Sequence, residues 1–449
     1  MSQKIVIVGA GLTGSLLAIF LARRGFQVDI YERRPDMRKV AISAGKSINL
    51  ALSTRGIHTL EQVGLAEKIL QDAIPMKGRF IHPVSGNTSF QPYSIQANEY
   101  INSISRRTLN VILMDEAEKF PSVNFFFNHR CTGMNLESGE AHFIDELTGN
   151  TLTANGDTVI GTDGSASAIR MEMLKSGFFN FSQTYENYGY KELTIPASSD
   201  GGFRIEKNAL HIWPRGSYMM IALPNAEGDF TCTLFMPHNQ SERNLSQLKT
   251  EQDILSFFQE VMPDAPQHMP TLVEDFFNNP TGNLLTVKCF PWHVKGKVLL
   301  MGDAAHAIVP FFGQGMNCCF EDCYYFDKLL DDLGDDWAQI FEAFGNLRKE
   351  NTDAIADLAV ENFVEMRDLV AQKDFILKKQ AEALLEEKYA GEFISKYGMV
   401  TFHRIPYATA LKRGRAQDKV LMEICSKISG IEDFNAVTAM EKIRMEWEK

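Results

Sequence analysis

The sequence predicts an α/β protein: a doubly wound parallel sheet assembled from separated segments, an inserted sheet-rich region, and a helical C-terminal region. Three observations point there. Residues 4–32 read as strand, helix and strand, a βαβ unit whose parallel strands need both faces covered. Residues 188–235 alternate aromatic and apolar positions in short runs, the texture of antiparallel strands. From Gly315 onward nearly every stretch is helix-compatible, with Glu/Lys-rich faces and few glycines.

The elements follow in order. Lys4–Val8 is a short β-branched run, fit for a buried parallel strand. Residues 14–25 form a helix with Leu16, Leu17, Phe20 and Leu21 on one stripe, and residues 27–32 form the second strand. Residues 105–120 read as helix and 123–127 as strand, with a hairpin at 131–136 and 140–147. A short strand at 158–160 runs into Gly161-Thr162-Asp163-Gly164. Strands are expected at 209–213, 218–223 and 230–235, and a further buried strand at 297–301 leads into Gly302-Asp303.

Composition narrows the class. At 449 residues the chain can bury two or three cores. An excess of Asp and Glu leaves a formal net charge of -12, which gives no general support for nucleic-acid or anionic-lipid binding. The seven cysteines form no C-x-x-C pair. Cys318, Cys319 and Cys323 cluster on an expected helix with no matching group to complete a zinc site, so reduced thiols and no metal are expected. The uncharged run from Ile5 to Ala22 approaches the length of a membrane span, but Gly9, Gly11 and Gly14 interrupt it. A soluble, cytoplasmic protein without a membrane anchor is expected.

Gly9-x-Gly11-x-x-Gly14 follows a strand, opens a helix and precedes an acidic residue, Glu32, at the end of the next strand. Each part has a physical task in dinucleotide binding. Gly9 permits the tight turn, Gly11 admits the pyrophosphate, and Gly14 lets the helix pack close to the strand. The helix N-terminus faces the phosphates, and Glu32 can accept from ribose hydroxyls. Glu32 disfavours a 2′-phosphate here but does not separate FAD from NAD. A tight turn without a ligand is the plainer alternative.

Two distal motifs make the distinction. Gly302-Asp303 follows a strand and is succeeded by Pro310-Phe311-Phe312-Gly313-Gln314-Gly315-Met316-Asn317 and a helix. Asp303 suits polyol hydroxyls, the glycines let backbone lie against a flat ring, and a helix N-terminus favours charge on a reduced flavin. With Gly161-x-Asp163-Gly164 and Arg170, these motifs stand in the order of the flavoprotein aromatic hydroxylases, the single-component FAD monooxygenases, and the chain resembles them. Within that family it is similar to the kynurenine 3-monooxygenase branch. The similarity is carried by Lys46-Ser47-Ile48-Asn49-Leu50-Ala51-Leu52, Tyr190-Lys191-Glu192-Leu193, His211-Ile212-Trp213-Pro214 and residues 219–224, 231–237, 309–317 and 361–366.

The resemblance implies bound FAD in a Rossmann-like domain, held by Gly9, Gly11, Leu12, Thr13, Gly14, Glu32, Arg33, Arg106, Asp163, Asp303, Gly315, Met316 and Asn317. Pro310, Phe311, Gly313, Gln314 and Gly315 would face the flavin. It implies a substrate carboxylate held by Arg79 and Tyr93, with Asn362 and Tyr407 reaching in, and an apolar wall of Met219, Phe235, Phe311 and Met366. Taken alone, Arg79 reads as a surface arginine, the Met and Phe positions as core, His306 as a structural histidine and Asp163 as a cap. The family reaction is hydroxylation of L-kynurenine to 3-hydroxykynurenine, a step of tryptophan degradation, with NADPH and O2 as co-substrates and a flavin hydroperoxide as oxidant. NADPH would bind transiently, since no second glycine fingerprint exists to build a separate domain. The substrate's aniline nitrogen activates the ring, so no catalytic acid or base is demanded. The rival readings are another FAD hydroxylase, a halogenase, or a non-redox binding protein of the same fold.

The expected division is a discontinuous FAD domain (1–75, 102–180 and 285–345), a substrate domain (76–101 and 181–284) and a helical region (346–449).

Overall fold

The structure is a computed structural model that describes residues 3–40, 49–239, 241–370 and 372–449. Part of the 46–52 similarity segment therefore lies outside the described residues. Lys4–Val8 sits near the centre of a six-stranded sheet, between Thr158–Gly161 and Gln27–Tyr31. Val123–Phe126 and Val298–Leu300 extend it in parallel on either side, and His293–Val294 closes one edge antiparallel. Every expected parallel strand is present, because Val and Ile runs buried on both faces admit little else.

The helix Leu12–Arg23 is buried on more than the expected stripe: Ser15, Ala18 and Ile19 are also inside. It is covered by the helices Arg106–Glu118 and Gly315–Leu333 as well as by the sheet. A sandwiched helix needs no polar face.

The second sheet has seven strands, in the order Gly282–Phe290, Asn180–Ile195, Phe230–Pro237, Met219–Pro224, Leu210–Pro214, Gly78–Ile81 and Ser89–Pro92. Its pairings are antiparallel except for Leu210–Pro214 with Gly78–Ile81, where Arg79 stands opposite Leu210. Gly282–Phe290 pairs with Asn180–Ile195 and so spans the domain boundary expected after residue 284. One face, with Leu193, Trp213, Met220 and Leu234, packs on the helices Glu251–Val261 and Leu272–Asn278. These two helices were not expected from the strand-like texture around them. The first starts at a capping box in which Thr250 accepts from Asp253 N and Asp253 accepts from Thr250 N.

The other face of this sheet joins residues 309–318 and the C-terminal helices in a shared core. Trp337–Val364 runs directly into a π-helical turn, Glu365–Leu369, followed by Lys373–Lys388, Lys396–Thr401, Tyr407–Cys425 and Ala436–Trp447. Among the described residues no helix is long and apolar enough to cross a membrane.

Candidate active site

The glycine fingerprint divides its work as the spacing requires. Gly9 has φ +105°, and a Cβ there would lie 2.7 Å from Thr162 O. At Gly14 a Cβ would lie 2.1 Å from Gly9 O and 2.6 Å from Thr162 Oγ1. Both contacts are internal, so these glycines serve the strand–helix packing. Gly11 differs: a Cβ there meets nothing within 4 Å. Its outer face is open, ahead of the Leu12 and Thr13 amides that open the helix.

Glu32 is buried at the head of this turn. Its carboxylate accepts from Ala10 N (3.0 Å), Arg34 N (3.0 Å) and Arg34 Nε (2.8 Å). Burial raises its pKa, but the Arg34 guanidinium and the two amides outweigh that and hold it below the usual carboxylate range. Arg33, the residue after Glu32, is exposed, and Arg106 is exposed at the start of the helix Arg106–Glu118, near enough to Tyr190 and Glu192 to affect their charge.

Asp163 caps a helix: its Oδ2 accepts from Ala168 N at 2.7 Å, while Oδ1 is buried without a hydrogen-bond partner among the described residues. Burial raises its pKa. A cap and a cofactor contact are thus compatible, one oxygen for each. Asp303 begins the short helix Asp303–His306 behind Gly302, whose φ is +64°.

The 310–317 loop is clamped from behind. Asn317 Nδ2 donates to Ala51 O and Gly313 O, both at 2.8 Å, and its Oδ1 accepts from Ser53 N at 3.0 Å. Gly313 is left-handed, with φ +65°. Gln314 is buried and accepts from Tyr407 Oη at 3.0 Å, so its side-chain oxygen points away from the loop surface. Beneath lies a buried ion cluster: His306 Nε2 is 2.7 Å from Asp322, which accepts from Arg348 Nε at 2.7 Å. His306, Cys318 and Asp322 converge closely enough to hold a metal ion, but the Arg348 guanidinium already lies against Asp322 and Cys318. The structural reading of His306 holds.

Between the loop and the seven-stranded sheet is a cavity of about 820 Å³, counting its opening to solvent. Leu210, Ile221, Leu223 and Phe235 line it from the sheet, Pro310, Phe311, Phe312 and Gly313 form its roof with Ala51 beside Gly313, and Met366 and Tyr397 form its C-terminal wall. Among the described residues no carboxylate, imidazole or thiol lines it, and the single charge there is Arg79. Arg79 is buried, with its guanidinium carbon 5.7 Å from the Tyr93 ring centre and 5.3 Å from that of Tyr397. Arg79 Nε and Tyr93 Oη are buried without a hydrogen-bond partner among the described residues. A mostly apolar chamber that also carries Asn49, Thr231 and Thr233, with an unsatisfied guanidinium and phenol, can complement an anion attached to a ring.

Residues 2–339 match the family model described as FAD binding domain. A kynurenine 3-monooxygenase from Myxococcus xanthus (strain DK1622) is 50% identical over 442 residues, covering 98% of this chain and 95% of its own. One from Dictyostelium discoideum is 43% identical, covering 97% and 95%. The chain belongs to the kynurenine 3-monooxygenase family. Its fold is shared with 2-methyl-3-hydroxypyridine-5-carboxylic acid oxygenase, with a TM-score of 0.67 at 19% identity over 86% of this chain and 98% of that one. It is shared too with tetracycline destructase Tet(51), at 0.61 and 19% over 90% and 99%.

Within the kynurenine 3-monooxygenase family frame, the expected site residues sort by position. Arg79, Tyr93, Phe235, Phe311, Met366, Pro310 and Gly313 line the cavity. Met219, Asn362 and Tyr407 do not. Met219 is fully buried opposite Phe235 in the sheet. Asn362 Nδ2 donates to Phe311 O at 2.7 Å, bracing the roof. Tyr407 lies under Gln314, with the Arg55 guanidinium 3.9 Å from its ring centre. The tyrosine that reaches the cavity from the C-terminal helices is Tyr397, which stacks on Tyr93 at 5.0 Å and on Phe312 at 5.5 Å. Sequence reasoning passed it over for lack of local signal: Lys396-Tyr397-Gly398 reads as an ordinary helix start.

Proposed function

We propose that this chain catalyses hydroxylation of L-kynurenine to 3-hydroxykynurenine, with bound FAD and with NADPH and O2 as co-substrates. The observation that carries the reading is Arg79: one desolvated guanidinium with unused hydrogen-bonding capacity, at the edge of a mostly apolar chamber beside the 310–317 loop. L-Kynurenine presents the complement, an α-carboxylate at one end and an aniline ring at the other.

The residues present fit FAD. The open face of Gly11 and the Asp163 Oδ1 that has no partner among the described residues are features that the internal packing leaves unused. In this reading Gly9 to Gly14 and the helix amides hold the pyrophosphate, Glu32 the adenosine ribose, and Asp303 the ribityl side. Gly315, Met316 and Asn317 place a helix N-terminus at the ring, with Arg33, Arg106 and Asp163 as flanking contacts. When bound, FAD supplies electron transfer from NADPH and activation of O2.

The chain's own side chains position and seclude. Arg79, Tyr93 and Tyr397 grip the carboxylate, the arginine through both oxygens. Phe235, Phe311 and Met366 hold the aromatic ring against the roof, and the apolar lining excludes water. The aniline nitrogen makes the ring nucleophilic, which agrees with a lining that offers no carboxylate or imidazole among the described residues. We assign the seven-stranded sheet to the substrate region and the six-stranded sheet to the FAD region, with the C-terminal helices as the pocket's wall. Seven cysteines, none of them in a disulfide, suit a cytoplasmic location.

The test is NADPH oxidation by the purified protein with and without L-kynurenine, with the product identified. Strong stimulation and a hydroxylated product are expected. A high basal rate unaffected by kynurenine, with no hydroxylated product, overturns the substrate assignment.

A further inference from the structure

Glu365 stands behind Arg79 at the first residue of the π-helical turn, and both are buried. Their approach is loose: Arg79 Nη1 lies 4.0 Å from Glu365 Oε1, beyond hydrogen-bonding distance. The other oxygen of Glu365 faces Lys396 Nζ at 3.6 Å, and Asp418 holds that lysine at 2.5 Å. Asp418 also binds Lys378 at 2.5 Å, and Glu382 accepts from Lys378 at 3.1 Å and Lys379 at 2.9 Å. Arg79 thus ends a chain of alternating charges that runs through three C-terminal helices, and only Arg79 among them lines the cavity. Burial opposes the charge on Glu365, but Lys379, Lys396, Lys378 and Arg79 outweigh it and hold its pKa down to about 2.

The spacing has an electrostatic consequence. An ionised Glu365 with Arg79 as its sole partner would be drawn onto the guanidinium, and an anion entering the cavity would meet an arginine already neutralised. With its charge shared by lysines behind it, Glu365 stays 4.0 Å from Arg79 Nη1, and Arg79 Nε is buried without a partner among the described residues. The Lys396–Asp418 pair also anchors the start of the helix Lys396–Thr401, whose next residue is Tyr397.

We propose that Lys396 is a positioning residue that sets the preference for anionic substrates: it restrains Glu365 so that Arg79 retains its charge for a carboxylate in the cavity. The inference rests on the reading that Arg79 receives the substrate carboxylate.

The experiment measures equilibrium binding of L-kynurenine and of kynuramine, its decarboxylated analogue, to FAD-loaded protein by calorimetry without NADPH. Wild type prefers kynurenine strongly; if it does not, both this inference and the substrate reading fall. Lys396→Met weakens kynurenine binding about 30-fold, the lower end of the cost of disturbing a desolvated charge pair. Kynuramine binding changes by no more than about twofold, as for a substitution outside the contact. Adding Glu365→Gln to Lys396→Met restores most of the kynurenine affinity, because the competing carboxylate is gone. A merely structural role predicts no such rescue. The proposal is overturned if Lys396→Met weakens both ligands alike, if it changes neither, or if the second substitution fails to rescue. Should Lys396→Met not fold, Glu365→Gln alone decides: unchanged or tighter kynurenine binding supports the proposal, and selective loss of kynurenine binding overturns it.

Discussion

Arg79 and Tyr397 come from opposite ends of the chain and meet at the cavity wall, the guanidinium carbon 5.3 Å from the tyrosine ring centre. The pair joins an edge-region strand of the seven-stranded sheet to the short helix Lys396–Thr401. Tyr93 completes the group by stacking on Tyr397. Burial raises the pKa of both phenols, so each enters the site as a neutral hydrogen-bond donor.

Substitutions here separate the carboxylate grip from the roof. Arg79→Met is expected to raise the kynurenine KM by roughly 30- to several-thousand-fold, the cost of unpairing a desolvated charge. FAD content stays normal, and Arg79→Lys recovers only part because it loses the planar fork. Tyr397→Phe removes one hydrogen bond to a charged group and raises KM by roughly 10- to 100-fold. Tyr407→Phe instead frees Gln314 and acts on kcat or FAD retention with little change in KM. Steady-state kinetics with flavin quantitation checks all four; a KM effect larger at Tyr407 than at Tyr397 contradicts the placement.

The fingerprint glycines make a second contrast. Gly11→Val places its side chain in open space at an ordinary φ of -73°, so the protein folds but loses FAD. Gly14→Ala drives a methyl group toward Gly9 O, so folding itself suffers. Circular dichroism and flavin absorbance distinguish the two. Full FAD occupancy in Gly11→Val refutes the assignment of the pyrophosphate site.

Asp322 bears on stability rather than on substrate. Removing its charge leaves His306 and Arg348 buried beside a neutral amide, and Asp322→Asn is expected to cost about 3–5 kcal/mol. Burial raises the pKa of Asp322, but His306 and Arg348 outweigh it, so the net shift is downward. Its contribution is therefore present above the unfolded carboxyl pKa and lost as pH falls through the lower folded value. Urea titration of both proteins at neutral pH tests the cost, and a difference below about 1 kcal/mol would argue that the cluster is dispensable.

Glu192 shifts the other way. It stands opposite Thr233 in the sheet, its Oε2 buried and unpartnered among the described residues, and burial pushes its carboxyl up to about 7 despite the influence of Arg106. A raised pKa stabilises the fold fully below the unfolded carboxyl pKa, and this stabilisation is lost as pH rises through about 7. Glu192→Gln should therefore raise the melting temperature at pH 8 and leave it nearly unchanged at pH 4. Equal shifts at both values would show that Glu192 does not titrate in this window.

Much of the six-stranded sheet was legible because its signals are local. The β-branched runs at Lys4–Val8 and Val298–Leu300 and the glycine spacing of the first turn each declare themselves within a few residues. Helices inside strand-rich sequence were less legible: Glu251–Val261 and Leu272–Asn278 were missed beside the apolar strands they cover. The motifs and the family resemblance indicated which residues deserve attention around the cavity, including Arg79 and Tyr93.

By itself the sequence determined the glycine turn after Lys4–Val8, the parallel core and the glycine-bearing 310–317 loop, since each depends on neighbours along the chain. Only the tertiary structure decided which side chains share the cavity. Tyr397 rather than Tyr407 faces Arg79 because a π-helical turn and the Lys396–Asp418 pair orient the C-terminal helices. Asn362 supports the roof instead of lining the chamber because Phe311 O lies within its reach. The spacing of Arg79 from Glu365 likewise depends on lysines from two further helices. Contacts between segments far apart in sequence carry no local pattern, and a buried charge is set by every group around it rather than by its own residue type.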